Sequence, residues 1–78
     1  MTNFERYTNV FTSTFDIKPE DTTELKYQSI EAWDSVGHMG LIAAIENEFN
    51  IMMEADDIVD LSSFKKGIEI LKKYNVEI

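Results

Sequence analysis

Apolar residues that recur at steps of three and four mark two long helices in this chain, and a segment without that period lies between them. The first stripe is rich in aromatic residues and covers residues 3–15: Phe4, Tyr7, Val10, Phe11 and Phe15. The second covers residues 36–50: Leu41, Ile42, Ile45 and Phe49. Thr2 and Glu5 have the spacing of a capping box, which marks the start of the first helix. Two such stripes predict a fold built on helix packing.

The segment from Asp16 to Asp34 loses the helical period and contains the only proline, Pro19. Leu25, Tyr27, Ile30 and Trp33 are scattered through it among polar residues. Connections of this length are unusual in compact domains unless they are functional or held in place. We therefore expect these side chains to anchor the segment over helix ends.

The remainder of the chain predicts one short helix and one longer helix. Residues 56–60 fit the short helix, and Ser62 or Ser63 can cap a last helix with the stripe Phe64, Ile68 and Leu71. We therefore predict an all-α fold. It is a small four-helix bundle of three longer helices and one short helix, with a long first loop, in a single domain over residues 1–78.

Charge and size restrict the classes of function. The 78 residues include 7 basic and 15 acidic side chains, and the net charge of −8 argues against nucleic acid and favours partners with basic surfaces. No cysteine is present, which excludes disulfides and thiolate metal sites and favours a cytoplasmic location. We also expect a monomer without a membrane span. So small a domain favours a module that presents a group on its surface over a self-contained enzyme.

Ser35 and its surroundings resemble a known family. The stretch Asp34-Ser35-Val36-Gly37, followed by the apolar run to Phe49, is similar to the acyl carrier proteins, whose serine in an Asp-Ser-Leu motif bears 4'-phosphopantetheine. Val36 stands at the leucine position. The likeness extends over nearly the whole chain and implies a carrier that is not catalytic by itself. It also implies that a phosphopantetheinyl transferase loads Ser35 from coenzyme A with Mg²⁺, and that Asp34 helps position the transferase's metal and substrate.

The residues alone leave a simpler interpretation open. Serine and aspartate are both favoured at the N-cap of a helix, so Ser35 or Asp34 could serve only to start the second helix. A phosphodiester on Ser35 would, however, meet free backbone N–H groups and the positive end of the helix dipole. Chemistry on a tethered acyl group would then belong to partner enzymes.

A strip of apolar residues lies beside Ser35, on a face of the second helix separate from the core stripe. It consists of Val36, Met39 and Ala43. By analogy with the family, this strip and nearby acidic residues would bind loading, synthase or acyltransferase enzymes that have basic docking surfaces. The acidic residues are Glu46, Glu48, Glu54, Asp56 and Asp57. The alternatives are a solvated acidic face and a methionine that fills the core.

Two glycines depart from the family's pattern. Gly37 and Gly40 occupy positions that are often acidic in fatty-acid carriers. They either permit the close approach of another backbone or loosen the first helical turns. Together with Trp33 and His38, they favour a specialised stand-alone carrier over a housekeeping one.

Two other types of site are suggested by single features of the sequence. His38 follows Ser35 by three residues and raises a serine-hydrolase alternative, but the Gly-x-Ser-x-Gly elbow is missing, and a histidine that packs under a loop is the more common case. Asp56, Asp57 and Asp60 suggest calcium, yet they lack the glycine and glutamate of a calcium-binding loop. We predict no metal site.

An unmodified acidic adaptor is the other class of function that the sequence permits. It would use the strip of Val36, Met39 and Ala43 for a permanent partner. For a carrier, the acyl cargo stays open, because a thioester takes fatty, polyketide, hydroxy-acid or aminoacyl groups through the same sulfur. Whether the bundle shelters a chain between its second helix and the neighbouring elements depends on packing.

Overall fold

The computed structural model describes residues 1–78 and contains four α-helices. They are α1 (Asn3–Phe15), α2 (Ser35–Phe49), α3 (Ala55–Asp60) and α4 (Phe64–Lys72), and a 3-10 turn spans Pro19–Asp21. The predicted all-α fold, with one short helix and a long first loop, is confirmed. No helix combines the length and apolarity needed to cross a membrane.

Local side chains account for both ends of α1. Thr2 Oγ1 accepts from the backbone N–H of Glu5 at 3.1 Å, and the Glu5 carboxylate accepts from the backbone N–H of Thr2 at 2.9 Å. This is the predicted capping box, and its hydrogen bonds hold the pKa of Glu5 below the ordinary value. At the other end, Asp16 adopts the left-handed conformation and its N–H bonds to Thr12 O.

The core is a single cluster of 15 buried apolar residues drawn from the helices and the loops between them. Its largest wholly buried side chains are Trp33, Tyr7, Phe11 and Phe64. Phe4, the first residue of the apolar stripe predicted for α1, lies outside this core, because it is 47% exposed and contacts Phe64 edge-on. Phe49 and Ile68, also predicted for the core stripes, are partly buried at its border. The Arg6 guanidinium covers the Phe49 ring at 4.8 Å.

The long loop is anchored to the start of α4 by backbone pairing. The Tyr27 N–H donates to Ser62 O at 2.8 Å, and the Phe64 N–H donates to Leu25 O at 3.0 Å. Leu25 and Trp33 are buried as predicted, whereas Tyr27 is 39% exposed. The anchored loop brings Trp33 into the core immediately before α2 begins.

The short helix α3 is held by side chains from other elements. It has six residues, which is too few for a stable isolated helix. At its N-terminus, the Tyr74 hydroxyl accepts from the Glu54 N–H at 2.9 Å. Within it, Asp57 is only 5% exposed and accepts from Lys73 Nζ and from the Tyr74 hydroxyl, each at 2.5 Å. The bonds from Lys73 and Tyr74 lower the pKa of Asp57, and the bond to Asp57 raises the pKa of Lys73.

Candidate functional site

Asp34 caps α2 and leaves the Ser35 hydroxyl outside the cap. Asp34 Oδ1 accepts from the backbone N–H of Gly37 at 2.7 Å, and Asp34 O accepts from the His38 N–H at 2.8 Å. Ser35 is the first residue of the helix and is exposed. Of the two N-cap candidates, the geometry therefore selects Asp34. Capping does not engage the Ser35 hydroxyl, so it is free to be modified.

The first turn of α2 presents backbone N–H groups beside Ser35. The N–H groups of Ser35 and Val36 precede that of Gly37, which the Asp34 carboxylate binds. Because α2 has 15 residues, its dipole places partial positive charge at this end. The local electrostatics favour an anionic substituent on Ser35, and a phosphodiester is one.

Ser35 lies at a pocket between α2 and α3. The pocket has a volume of about 400 Å³, near the lower end for ligand-binding pockets. Its lining comes from the long loop, α2, α3 and the segment after α3: Tyr27, Ser35, His38, Met39, Ile58, Val59, Leu61 and Ser62. A larger depression of about 740 Å³ near the chain termini does not include Ser35 or its neighbours. The pocket beside Ser35 has a mainly apolar wall with the hydroxyl groups of Tyr27, Ser35 and Ser62.

A histidine joins the two sides of this pocket. The Trp33 Nε1–H donates to His38 Nδ1 at 3.0 Å, and His38 Nε2 lies 2.7 Å from Ile58 O in α3. Because the indole N–H only donates and a carbonyl oxygen only accepts, these contacts fit the tautomer of His38 in which Nδ1 accepts and Nε2 donates. We call the pair of hydrogen bonds linking Trp33, His38 and Ile58 the His38 bridge. The bridge gives a hydrogen-bond partner to the carbonyl oxygen of Ile58, which lies in the last turn of α3, where carbonyl groups lack N–H partners within the helix.

The His38 bridge also bears on the hydrolase alternative. Both ring nitrogens of His38 are engaged, one by Trp33 and the other by Ile58. A general base must accept the proton of the nucleophile, and neither nitrogen of His38 is free to accept from Ser35. The structure therefore gives a serine-hydrolase reaction no support. His38 packs between α2, α3 and the long loop, as the more common case predicts.

The predicted apolar strip is exposed. Val36 is 80% exposed, Met39 is 57% exposed, and Ala43 faces solvent as well. The alternative that Met39 fills the core is therefore wrong. Val59, which sequence reasoning did not single out, is 79% exposed on α3 and continues the apolar surface across the pocket.

The predicted acidic docking residues separate into two groups. Glu54 and Asp56 are exposed. The other three bind partners within the chain: Glu46 accepts from the Met53 N–H at 2.9 Å, Glu48 pairs with Arg6 Nε at 2.7 Å, and Asp57 is buried against Lys73. Asp57 is turned inward, because Lys73 and Tyr74 lie beneath α3, and we leave it out of the candidate docking surface.

Several pocket residues could not be identified from the sequence. Tyr27, Ile58 and Ser62 reach the pocket from three separate segments, and no local pattern marks them as neighbours of Ser35.

The structure contains no group of three or more histidine, cysteine, aspartate or glutamate side chains that could hold a metal ion, and the acidic residues of α3 are included in that finding.

No protein-family model matches this chain, and no curated protein matches it in sequence. The resemblance to acyl carrier proteins therefore remains a prediction that depends on the residues around Ser35.

Proposed function

We propose that this protein is an acyl carrier protein that bears 4'-phosphopantetheine on Ser35. The observation that carries the proposal is the division of roles at the start of α2, where Asp34 makes the cap and Ser35 presents an exposed hydroxyl beside a pocket. A serine needed only to cap the helix would itself accept from the first-turn N–H groups. The resemblance of the Ser35 region to the family supplies the identity of the attached group.

Loading is a phosphoryl-group transfer from coenzyme A. The Ser35 oxygen forms a bond to the phosphorus that carries pantetheine, the bond from that phosphorus to the rest of the diphosphate breaks, and adenosine 3',5'-bisphosphate leaves. The hydroxyl proton passes to a base of the transferase. This chain orients the acceptor oxygen at the helix start, and the N–H groups of the first turn stabilise the negative charge of the phosphodiester. The Asp34 carboxylate adds a charge that the transferase's Mg²⁺ can bind.

Once attached, the arm ends in a thiol that holds acyl groups as thioesters, which this cysteine-free chain cannot do alone. Because the arm is tethered, partner enzymes encounter the cargo at high effective concentration without binding the carrier tightly. The chain itself has the role of an anchor and a docking module, and catalysis belongs to its partners.

The docking surface that we propose surrounds the pocket. Val36, Met39 and Val59 form its apolar part, and Glu54 and Asp56 add exposed negative charge. A net charge of −8 favours encounter with basic surfaces on transferases, synthases and acyltransferases. We propose that the carrier works as a monomer in the cytoplasm, where these enzymes and coenzyme A are found.

Intact-mass measurement tests the proposal. The purified chain is incubated with coenzyme A, Mg²⁺ and a phosphopantetheinyl transferase of broad specificity, and we expect a gain of one phosphopantetheinyl group. The matched control is Ser35→Ala, which should gain nothing while its thermal midpoint changes little, because Ser35 is not the cap. Ser62→Ala removes the other serine of the pocket and should load normally. An unchanged mass for the native chain would contradict the proposal.

The exposed apolar surface also fits the adaptor alternative. Val36 and Val59, at 80% and 79% exposure, are large apolar side chains that a permanent partner would cover. An adaptor would keep its partner after Ser35→Ala, whereas a carrier with that substitution would lose its role in the pathway. An unmodified native mass together with a retained partner would therefore favour the adaptor.

A further inference from the structure

The α2–α3 seam, where the Ser35 pocket lies, is tied at both of its ends. At one end, Glu46 in α2 accepts from the Met53 N–H at 2.9 Å and so holds the segment that leads into α3. At the other end, the His38 bridge joins α2 to Ile58 O at 2.7 Å. Opening the seam toward the core would break both connections and leave buried or half-buried polar groups without partners.

A third tie holds α3 from the side of α4. Asp57 lies in the middle of α3 and accepts from Lys73 and Tyr74, which follow α4. Charge-assisted bonds of this kind are among the stronger ones in proteins. The short helix is thus fixed to α2 and to the end of α4, so it cannot swing away from the pocket without losing all three ties.

Behind the pocket, aromatic rings fill the interior. Trp33 contacts two pocket residues, with its ring centroid 6.4 Å from Tyr27 and 6.2 Å from His38. On its other side it lies 5.7 Å from Phe11 and 5.4 Å from Phe15. The aromatic cluster therefore begins directly at the pocket wall.

The same cluster continues across the bundle. The Phe11 ring lies 5.0 Å from Tyr7 and 4.9 Å from Phe64, in edge-on contacts. None of the five core aromatic residues, Tyr7, Phe11, Phe15, Trp33 and Phe64, lines any pocket of the structure. An alkyl chain that entered here would have to displace whole rings from close-packed contacts, because there is no void to accept it.

Building on the carrier function, we infer that the interior of this bundle is closed to the acyl chain and that the cargo is a short or polar acyl group held outside the core. An alkyl chain longer than the pocket beside Ser35 can cover would leave its outer carbons exposed to water, which is unfavourable in proportion to their apolar area. A short or polar acyl group carries no such penalty. The space available to it is the pocket of about 400 Å³ beside Ser35.

The test compares two cargoes on the same chain. Ser35 is loaded from acetyl-coenzyme A and from octanoyl-coenzyme A, and intact mass confirms each product before any other measurement. We expect the two thermal midpoints to differ by less than about 2 °C, because the octanoyl chain gains contacts only in the open pocket beside Ser35 and none in the core. With ¹³C-labelled octanoyl, we expect no nuclear Overhauser effects from its methylenes to the Trp33 ring or to Ile45.

Two outcomes are contrary, and they are distinct. If neither group can be loaded, the carrier function is overturned, and the inference with it. If both groups load normally, two results would overturn the inference alone: a thermal midpoint several degrees higher with octanoyl than with acetyl, or contacts from the octanoyl methylenes to Trp33 and Ile45.

A variant pair tests the contribution of the seam. His38→Ala removes the His38 bridge, and the octanoyl form should then show contacts to Trp33 that the native chain lacks. His38→Gln is the matched control, because an amide can accept from Trp33 and donate to Ile58 O, and it should keep the native behaviour. If His38→Ala fails to fold, the comparison of cargoes on the native chain still decides the inference. An octanoyl His38→Ala protein that is folded and shows no such contacts would overturn the role assigned to the bridge.

Discussion

The carbonyl oxygen of Ala32 lies directly against the α-carbon of Gly37, so that a β-carbon added there would come within 1.9 Å of that oxygen. Of the two explanations open for this glycine, close approach of another backbone is the one that the structure shows. Gly40 differs, because a β-carbon there would meet nothing within 4 Å. The contact places the end of the long loop against the first turn of α2, next to Ser35.

The two glycines form a matched pair of substitutions. Gly37→Ala should lower the free energy of unfolding by about 1 to 3 kcal/mol, because a backbone oxygen cannot yield as a side chain would. Gly40→Ala should raise it by up to about 1 kcal/mol, because alanine favours the helix and space is open. Urea denaturation measures both. Equal effects of the same sign would contradict the contact with Ala32.

Asp34 caps α2, and we expect its charge to have a separate role in loading by the transferase. Asp34→Ala should reduce the free energy of unfolding by about 1 kcal/mol, whereas Asp34→Asn keeps an oxygen that caps and should change it little. Both variants should load Ser35 about tenfold more slowly, because both remove the charge. Thermal melts and timed mass measurement give the two readouts. If Asp34→Asn loads as fast as the native chain, the charge of Asp34 has no role in loading and the residue acts only as the cap.

Asp57 makes stability depend on pH on the acid side. Its pKa in the folded chain lies below the ordinary value of 3.8, owing to the bonds from Lys73 and Tyr74. This stabilisation is therefore complete above about pH 5 and is lost as the pH falls through the lowered pKa. Urea denaturation between about pH 6 and pH 3 should show a decline that Asp57→Asn reduces.

Asp56→Asn is the control for that experiment, because it removes the adjacent carboxylate, which is exposed. Asp56→Asn should leave the decline in stability between about pH 6 and pH 3 unchanged. On the alkaline side, the bond to Asp57 raises the pKa of Lys73 above its ordinary value of 10.5, so the corresponding stabilisation is complete below that value and is lost as the pH rises through the raised pKa. An Asp57→Asn protein with the native pH dependence would refute the role of the pair.

Repulsion among acidic groups should make stability depend on salt. The molecule measures 29 × 28 × 18 Å, so at about 10 mM salt, where screening extends about 30 Å, every surface charge acts on every other. Raising salt to about 150 mM shortens this distance to about 8 Å and should raise the thermal midpoint by several degrees. A variant with Glu20→Lys and Glu31→Lys, both exposed, should respond less. A midpoint that is independent of salt in the native chain would contradict this explanation.

Much of the secondary structure follows from interactions within a few residues. The capping box of Thr2 and Glu5 starts α1 at the predicted residue, and the Asp34 carboxylate starts α2 within one residue of the prediction. Such bonds join positions three apart in sequence, so a local pattern is enough to reveal them. The apolar stripe of α1 is correct for Tyr7 and Phe11, and it fails at Phe4, where exposure depends on which elements pack over the first turn.

The candidate site was only partly predictable for the same reason. The exposed hydroxyl of Ser35 and the exposed side chains of Val36 and Met39 follow from their positions on α2. The inward turn of Asp57 does not, because Lys73 lies 16 residues away along the chain. No local pattern reports a bond across that distance.

The sequence by itself determined the helices, the loop between them, the acidic character and the serine at which α2 begins, because periodicity and capping act over short stretches of chain. Only the tertiary structure decided that Asp34 rather than Ser35 is the cap, that His38 ties α2 to Ile58, and that aromatic rings close the interior behind the pocket. These relationships depend on packing between distant segments, where the choice of partner is made by the shape and hydrogen-bonding capacity of the whole bundle.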